Sequence, residues 1–282
     1  MRKVLLCCDL DRTVLPNGTQ AESPQARPLL RMLAARSELT LVYVSGRHLA
    51  LLLAAISDYD IPVPNYAIGD VGTTIYEIHG NEWRPWQAWA NEIAPDWAGK
   101  THAELAKLFG DLDALSLQEQ EKQNTFKLSY YAPPDIDYAN LLQEMQRRLL
   151  ACDVRASLIW SIDEEKSSGL LDVLPERATK YHAIRFLMTQ QGFADSDTVF
   201  AGDSGNDLPA LTSGIQAVLV RNARDDVREA ALSAVKDKGM AERLYLAQGG
   251  FLGLNGNYTG GVLEGLAHFI PETRGWLAAA DR

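Results

Sequence analysis

The sequence predicts an α/β protein: a parallel sheet with helices on both faces, interrupted by an inserted α+β unit. Three observations carry that prediction. Apolar runs such as "VLLCC" are continuous rather than alternating, as in strands buried on both faces. Strand-like and helix-like segments follow one another in β-α-β-α-β order at the start of the chain, and the same texture returns near its end. Between these two stretches the texture is different, with clustered tryptophans and half-exposed alternation.

Element by element, "KVLLCCDLD" reads as a strand, "SPQARPLLRMLAARS" as an amphipathic helix and "LTLVYVSG" as a second apolar strand. "RHLALLLAAISDYD" is a helix, and "PNYAIGDVGTTIYEI" holds a strand, a glycine turn and another strand. The texture shifts after Ile78. Trp83, Trp86 and Trp89 are spaced three apart, as a helical stripe would be. "THAELAKLFGDL" and "DYANLLQEMQRRLLA" read as helices, "TFKLSYYA", "DVRASLIWSI" and "GLLDVLP" as strands, with "DEEKSS" a charged turn between the last two. The parallel texture resumes with helix "TKYHAIRFLMTQQG", strand "DTVFAGD", helix start "NDLPALTSG", strand "QAVLVRNA" and closing helix "GGVLEGLAHFI". The expected division is a core of residues 1–80 and 172–282 around an insert of residues 81–171. The glycine-dense "AQGGFLGLNGNYTGG" follows no clear strand and reads as a loop.

A chain of 282 residues can form one large domain or two smaller ones. Its net charge of −10 argues against a nucleic-acid partner, which needs a basic surface. No apolar run approaches the length of a membrane span, and the short apolar stretch at the N-terminus runs straight into acids, unlike a signal peptide. A cytoplasmic protein without membrane attachment is expected. Cys7, Cys8 and Cys152 suit a reducing compartment, and no CxxC or HxxxH spacing suggests zinc.

Five polar residues fall at carboxyl ends of expected strands: Asp9 and Asp11 after "VLLCC", Ser45 after "LTLVYV", and Asp203 and Asp207 around "VFAGDSGND". In an open parallel sheet those ends line one crevice. Several carboxylates together repel unless a hard cation joins them, and Mg2+ takes a few carboxylates plus phosphate oxygens. Lys180, at a helix start where the dipole disfavours it, adds a cation for an anionic ligand. Asp207 reads equally well as a helix cap.

The ordered set "DLDRT", "VSGR", "TK" and "GDSGND" resembles the haloacid dehalogenase (HAD) superfamily of phosphatases, whose motifs run DxDx[TV], Ser or Thr, Lys and GDxxND. The resemblance implies a Rossmann-like HAD core with an inserted type II cap that chooses the substrate. Further stretches, among them "NYAIGDVGTTIY", "KLSYY", "DVLPERATK", "VRNA" and "LEGLAHF", resemble the sucrose-phosphatase-like subgroup along nearly the whole chain. Arg12 departs from the pattern, since many members carry Gly, Asn or His there. "DEEKSS" is longer than the subgroup leads one to expect.

The resemblance implies that Asp9 is the nucleophile and forms an aspartyl-phosphate, while Asp11 serves as general acid and then base, which needs a raised pKa. It implies Mg2+ held by Asp9, the Asp11 backbone carbonyl and Asp203, with Asp207 acting through water or orienting Lys180. Ser45, Gly46, Lys180 and Asn206 are the implied phosphate-binding residues. Arg47, Lys127, Ser129 and Tyr130 are candidates for substrate specificity; Lys127 and Ser129 share a strand face, which could equally meet solvent. The implied substrate is a sugar phosphate, foremost a disaccharide phosphate such as sucrose 6-phosphate. Mannosylfructose, glucosylglycerol or trehalose phosphate, a phosphomannomutase-like transfer, or a non-catalytic domain binding sugar phosphate or a sugar-phosphate synthase are the alternatives.

Overall fold

The computed structural model describes residues 2–163 and 167–278, so residues 164–166 of the charged turn lie outside the described residues. The chain divides into two compact units, Met1–Pro85 with Lys180–Arg282, and Trp86–Thr179. In chain order the first unit begins with β1 (Val4–Asp9), α1 (Ala26–Ala34), β2 (Leu39–Val44), α2 (Leu49–Asp58), β3 (Tyr66–Gly69), β4 (Thr74–His79) and β5 (Glu82–Pro85). The second unit holds α3 (Gln87–Ile93), α4 (His102–Leu108), β6 (Ser116–Leu117), β7 (Leu128–Ala132), α5 (Tyr138–Leu150), β8 (Ala156–Asp163) and β9 (Ser168–Pro175). The first unit resumes with α6 (Lys180–Gln191), β10 (Thr198–Gly202), α7 (Leu208–Leu211), β11 (Gln216–Leu219), α8 (Asp225–Asp237), β12 (Leu244–Leu246), α9 (Thr259–Phe269) and α10 (Glu272–Ala278).

The first unit's sheet runs β12-β11-β10-β1-β2-β3-β4-β5. The strands from β12 to β3 pair in parallel, while β4 and β5 add an antiparallel edge. Every residue of β1 is buried, because it lies between parallel neighbours with both faces covered. Val4, Leu6 and Cys8 share an apolar cluster with Leu30 and Leu33 of α1 and Val262, Leu263 and Leu266 of α9. Leu5 and Cys7 point the other way and are equally buried. Register then sets the ends of three strands level: Asp9 pairs with Val44, and Cys8 with Ala201.

The second unit is an antiparallel sheet, β6-β7-β9-β8, with its own apolar cluster from Leu105 and Phe109 on the α4 side, Met145 and Leu149 of α5, and Leu128, Tyr130, Leu171 and Val173 of the sheet. Its buried carboxylate, Asp96, is held by Arg155 at 2.6 Å, by Arg177 Nε at 3.1 Å and by the Arg177 backbone N–H at 2.8 Å. Those bonds tie the segment leaving β9 to the turn after α3.

Several elements differ from the sequence expectation. β5 bonds to β4, and β9 bonds to β7 and β8 along its length, so the units divide at 85/86 and 179/180 rather than at 80/81 and 171/172. The tryptophans form no helical stripe. Trp83 belongs to β5 and meets Tyr76 edge-on at 5.9 Å, Trp86 precedes α3, and Trp89 is buried within it. Helix α8 and the short strand β12 went unread between "VRNA" and the glycine-dense loop. That loop is irregular, and buried Glu264 of α9 pins it by accepting from the N–H groups of Gln248 and Gly249 at 2.9 and 2.8 Å.

Close approach of α9 to β11 depends on Gly265, where a Cβ would come within 2.2 Å of Val218 Cγ2. Gly265→Ala should lower stability to urea by about 1–3 kcal/mol. Gly205→Ala, whose added Cβ would meet nothing within 4 Å, should stay within about 0.5 kcal/mol.

Candidate active site

A cavity of about 730 Å³ opens at the carboxyl end of the first unit's parallel strands, lined in part by Asp9, Asp11, Lys180, Asp203 and Asn206. Asp9 ends β1, Asp203 follows β10, and Lys180 opens α6. One carboxylate oxygen from each of Asp9, Asp203 and Asp207 lies within 4.8 Å of the others, and all three residues are buried. Lys180 Nζ donates to Asp9 Oδ1 at 2.7 Å, to Asp207 Oδ1 at 2.9 Å and to the Asn206 side-chain oxygen at 3.2 Å. The lysine disfavoured at a helix start is therefore held by two acids from other elements.

Asp207 does not cap the helix it opens, since its side chain makes no bond to α7; it holds the lysine and closes the turn before that helix. Its Oδ2 accepts from the backbone N–H groups of Asp203 and Ser204 and from the Ser204 hydroxyl, each at 3.2 Å, while Oδ1 faces Lys180. Ser204 and Asp207 complete a capping box on the short 3-10 turn Gly205–Asp207. Gly202 makes room for this, since a Cβ there would lie 2.7 Å from the Asp207 carboxyl carbon.

Asp203 is bound more loosely. Its Oδ2 accepts from Arg12 Nε at 3.1 Å and its Oδ1 from the Thr13 hydroxyl at 3.3 Å. Arg12 has φ 61°, the left-handed region where glycine is comfortable and other residues lose about 1–2 kcal/mol. Its backbone is secured on both sides: the N–H donates to Asn17 Oδ1 at 2.8 Å, and the carbonyl accepts from Asn222 Nδ2 at 2.6 Å. The departure at this position is thus a residue spending conformational energy where the family's glycine would not.

The Asp11 side chain turns away from the three acids. Arg47 grips it with two bonds, at 2.9 and 2.6 Å, and Asn17 donates to it at 2.7 Å. Burial pushes this carboxyl up, but the Arg47 bonds win and hold its pKa below the ordinary range. The raised pKa expected of a general acid is absent while this pair stands. Ser45 is buried, its hydroxyl oxygen accepting from the Arg47 backbone N–H at 3.2 Å, while Gly46 and Arg47 line the cavity. The turn between β3 and β4 buttresses this loop: the Asp70 N–H donates to the Arg47 carbonyl at 2.9 Å, and Asp70 and Val71 both have left-handed φ.

In the second unit, Lys127 and Ser129 share a face of the β7 strand segment. Ser129 Oγ donates to Asp172, Lys127 Nζ lies 3.7 Å from the same carboxylate, and Lys127 also donates to the Lys122 carbonyl at 2.9 Å. Both are buried rather than facing solvent. Tyr130 points into the apolar cluster, and its hydroxyl has no partner among the described residues. Asn17, Thr13, Ser204 and Asn222 were not singled out from sequence; "VRNA" contained Asn222, but nothing local marks an asparagine that reaches Arg12 from 210 residues away.

Charge explains the arrangement. Burial first, then Asp207 and Asp203, push the Asp9 carboxyl up to about 7 against the pull of Lys180. Burial also raises Asp203, although Arg12 opposes it. Burial would lower Lys180, yet Asp9 and Asp207 raise it well above its ordinary value. Three acids share one buried ammonium and one half-exposed guanidinium, so the cluster retains a deficit of positive charge. An all-oxygen donor set of this kind fits a hard divalent cation.

Comparison with known proteins agrees with this geometry. The family model for sucrose-6F-phosphate phosphohydrolase matches residues 2–270. The chain belongs to that family. It is accordingly a HAD-type sugar phosphatase, a phosphoric monoester hydrolase on a parallel-sheet α/β core. Within the sucrose-6F-phosphate phosphohydrolase family and its neighbours, a HAD-like hydrolase of Nitrosococcus oceani is 60% identical over 98% of this chain and 74% of its own length. Mannosylfructose-phosphate phosphatase of Agrobacterium fabrum is 30% identical over 78% of this chain and 83% of its own. The sucrose-phosphatase of Synechocystis sp. PCC6803, solved with sucrose and phosphate, superposes with a TM-score of 0.69 at 26% identity, covering 95% of this chain and 98% of that one. No helix among the described residues is long and apolar enough to cross a membrane.

The raised Asp9 carboxyl has a signed consequence. Its ordinary value is 3.8, so between about pH 4 and 7 the native state keeps a proton that the unfolded chain has released. Stability from this group is present below that window and falls as pH rises through it. Urea midpoints without divalent cations should show wild type losing stability relative to Asp9→Asn between pH 4 and 7, then levelling. A difference that is constant across this range would contradict the placement of Asp9.

Proposed function

We propose that this protein is a Mg2+-dependent phosphatase that hydrolyses a sugar phosphate monoester through an aspartyl-phosphate on Asp9. The carrying observation is the Asp9 carboxylate at the cavity, 2.7 Å from Lys180 Nζ and grouped with Asp203 and Asp207. Asp9 attacks phosphorus in line as the bond to the sugar oxygen breaks, and the phosphoryl group passes to the carboxylate. Lys180, with Asn206 beside it, stabilises the negative phosphoryl oxygens. Ser45 and Gly46 complete the proposed phosphate-binding set, Gly46 at the cavity and Ser45 buried behind it.

Asp11 gives a proton to the departing sugar oxygen and later takes one from the water that hydrolyses phospho-Asp9. Paired with Arg47 it is in the charged form suited to the second task. The first task requires the Asp11–Arg47 pair to open so that the carboxyl can carry a proton. Asp9 and Asp203 would hold Mg2+, with the Asp11 carbonyl as a further donor; Asp207 is saturated by its capping box and by Lys180. Bound there, the cation supplies charge neutralisation for the phosphate ester.

A disaccharide phosphate such as sucrose 6-phosphate is the substrate that the relatives support best. The Synechocystis relative was solved with sucrose, and the Agrobacterium relative is named for mannosylfructose phosphate. Both sugars join a hexose to fructose, so a phosphorylated hexosyl fructoside is the class. The second unit, residues 86–179, is assigned to sugar selection, with Lys127, Ser129 and Asp172 as its polar cluster; Tyr130, turned into the apolar core, is not part of it.

Phosphate release should be measured across sucrose 6-phosphate, mannosylfructose phosphate, trehalose 6-phosphate and hexose 6-phosphates. The disaccharide phosphates of fructose should lead. Asp9→Asn should lower turnover by about 10⁴-fold or more, and EDTA should silence wild type until Mg2+ is restored. Substantial turnover by Asp9→Asn would remove the mechanism.

A further inference from the structure

We propose that Arg12 is the internal counter-ion of the carboxylate cluster: its guanidinium holds Asp203 when no cation is bound and leaves that oxygen when one binds. The inference rests on the cation site read above and adds a residue that competes for it.

Four observations converge. Asp203 is only 4% exposed, so its charge needs a partner close by. Lys180 is engaged by Asp9 and Asp207, and the formal positive charge placed on Asp203 is Arg12. Arg12 makes one bond to Asp203, from Nε at 3.1 Å, while its Nη2 donates to the Asn222 carbonyl at 3.3 Å, so the guanidinium keeps a second anchor when it leaves the carboxylate. The Arg12 side chain is 38% exposed and borders both the 730 Å³ cavity and a neighbouring one of about 500 Å³, so it has space to withdraw into.

The backbone aims the side chain at this task. Residue 12 is left-handed, and Asn17 and Asn222 fix its N–H and carbonyl. A glycine would occupy the same joint without strain and without charge. An arginine held there places a guanidinium on the carboxylate of Asp203, one of the three acids of the cation site. Cation and guanidinium compete for the negative charge of the Asp203 carboxylate, so Arg12 lowers cation affinity.

The test uses Mg2+ alone, by titration calorimetry and by the rise in melting temperature on adding Mg2+. Arg12→Gly and Arg12→Asn both tolerate a left-handed backbone. Each should bind Mg2+ about threefold to tenfold more tightly than wild type, with a larger Mg2+-induced rise in melting temperature. Arg224→Gln serves as the charge control. Arg224 lines the same cavity but pairs with Asp226 at 2.9 Å, so its loss should leave Mg2+ affinity within about twofold. Unchanged or weaker binding by Arg12→Gly and Arg12→Asn overturns the inference, and so does an equal gain from Arg224→Gln, which would reduce the effect to net charge. Asp203→Asn should lose Mg2+ binding. If it binds as wild type does, the cation lies elsewhere and the cofactor reading itself fails.

Discussion

The site depends on one electrostatic constraint: three buried carboxylates within 4.8 Å of one another must be compensated. Lys180 answers for Asp9 and Asp207, and Arg12 answers for Asp203. Those two cations against three acids leave a residual negative charge at the mouth of a buried strand. Asp9, the residue proposed to accept the phosphoryl group, therefore sits in a field that favours a divalent cation.

The fold makes that constraint affordable by placing its members without freedom to separate. Asp9 is fixed by a strand buried on both faces, and parallel register brings the end of β10 alongside. Gly202 lets Asp207 pack against the strand end, where the capping box locks it. Lys180 opens a helix that buries Ala183, Ile184, Leu187 and Met188, so its ammonium is aimed by packing rather than by its own flexible stem. A second, softer pair, Asp11 with Arg47, lies beside the rigid group. It is half exposed and depends on side-chain bonds alone, which is the character expected of a group that changes protonation during turnover.

Much of this was legible in the sequence because it was written in strand ends. Continuous apolar runs marked β1, β2, β10 and β11; Asp9, Asp11, Ser45 and Asp203 stood at or just past the ends of three of them, and Lys180 at a helix start. What was not legible depended on side chains meeting across long separations. The Arg47 grip on Asp11 reverses the pKa direction that the acid role suggested, and spacing alone gives no sign of it. Arg12 stood out only as a departure from the family pattern; its bond to Asp203 goes with a left-handed backbone that the sequence does not display. Helix α8 was missed because its apolar face is thin, with Val227, Ala231 and Val235 buried among charges. The tryptophan stripe failed because Pro85 ends a strand between Trp83 and Trp86, so a three-residue spacing spans two different elements.

The most direct measurement is a crystal structure of wild type grown with Mn2+ in place of Mg2+, with the ion located by its anomalous signal. One ion should lie about 2.0–2.4 Å from carboxylate oxygens of both Asp9 and Asp203, with the Arg12 guanidinium displaced from Asp203. An ion bound away from these two residues, or a cluster that stays closed by Lys180 and Arg12 at saturating Mn2+, would contradict the charge compensation on which the site is built.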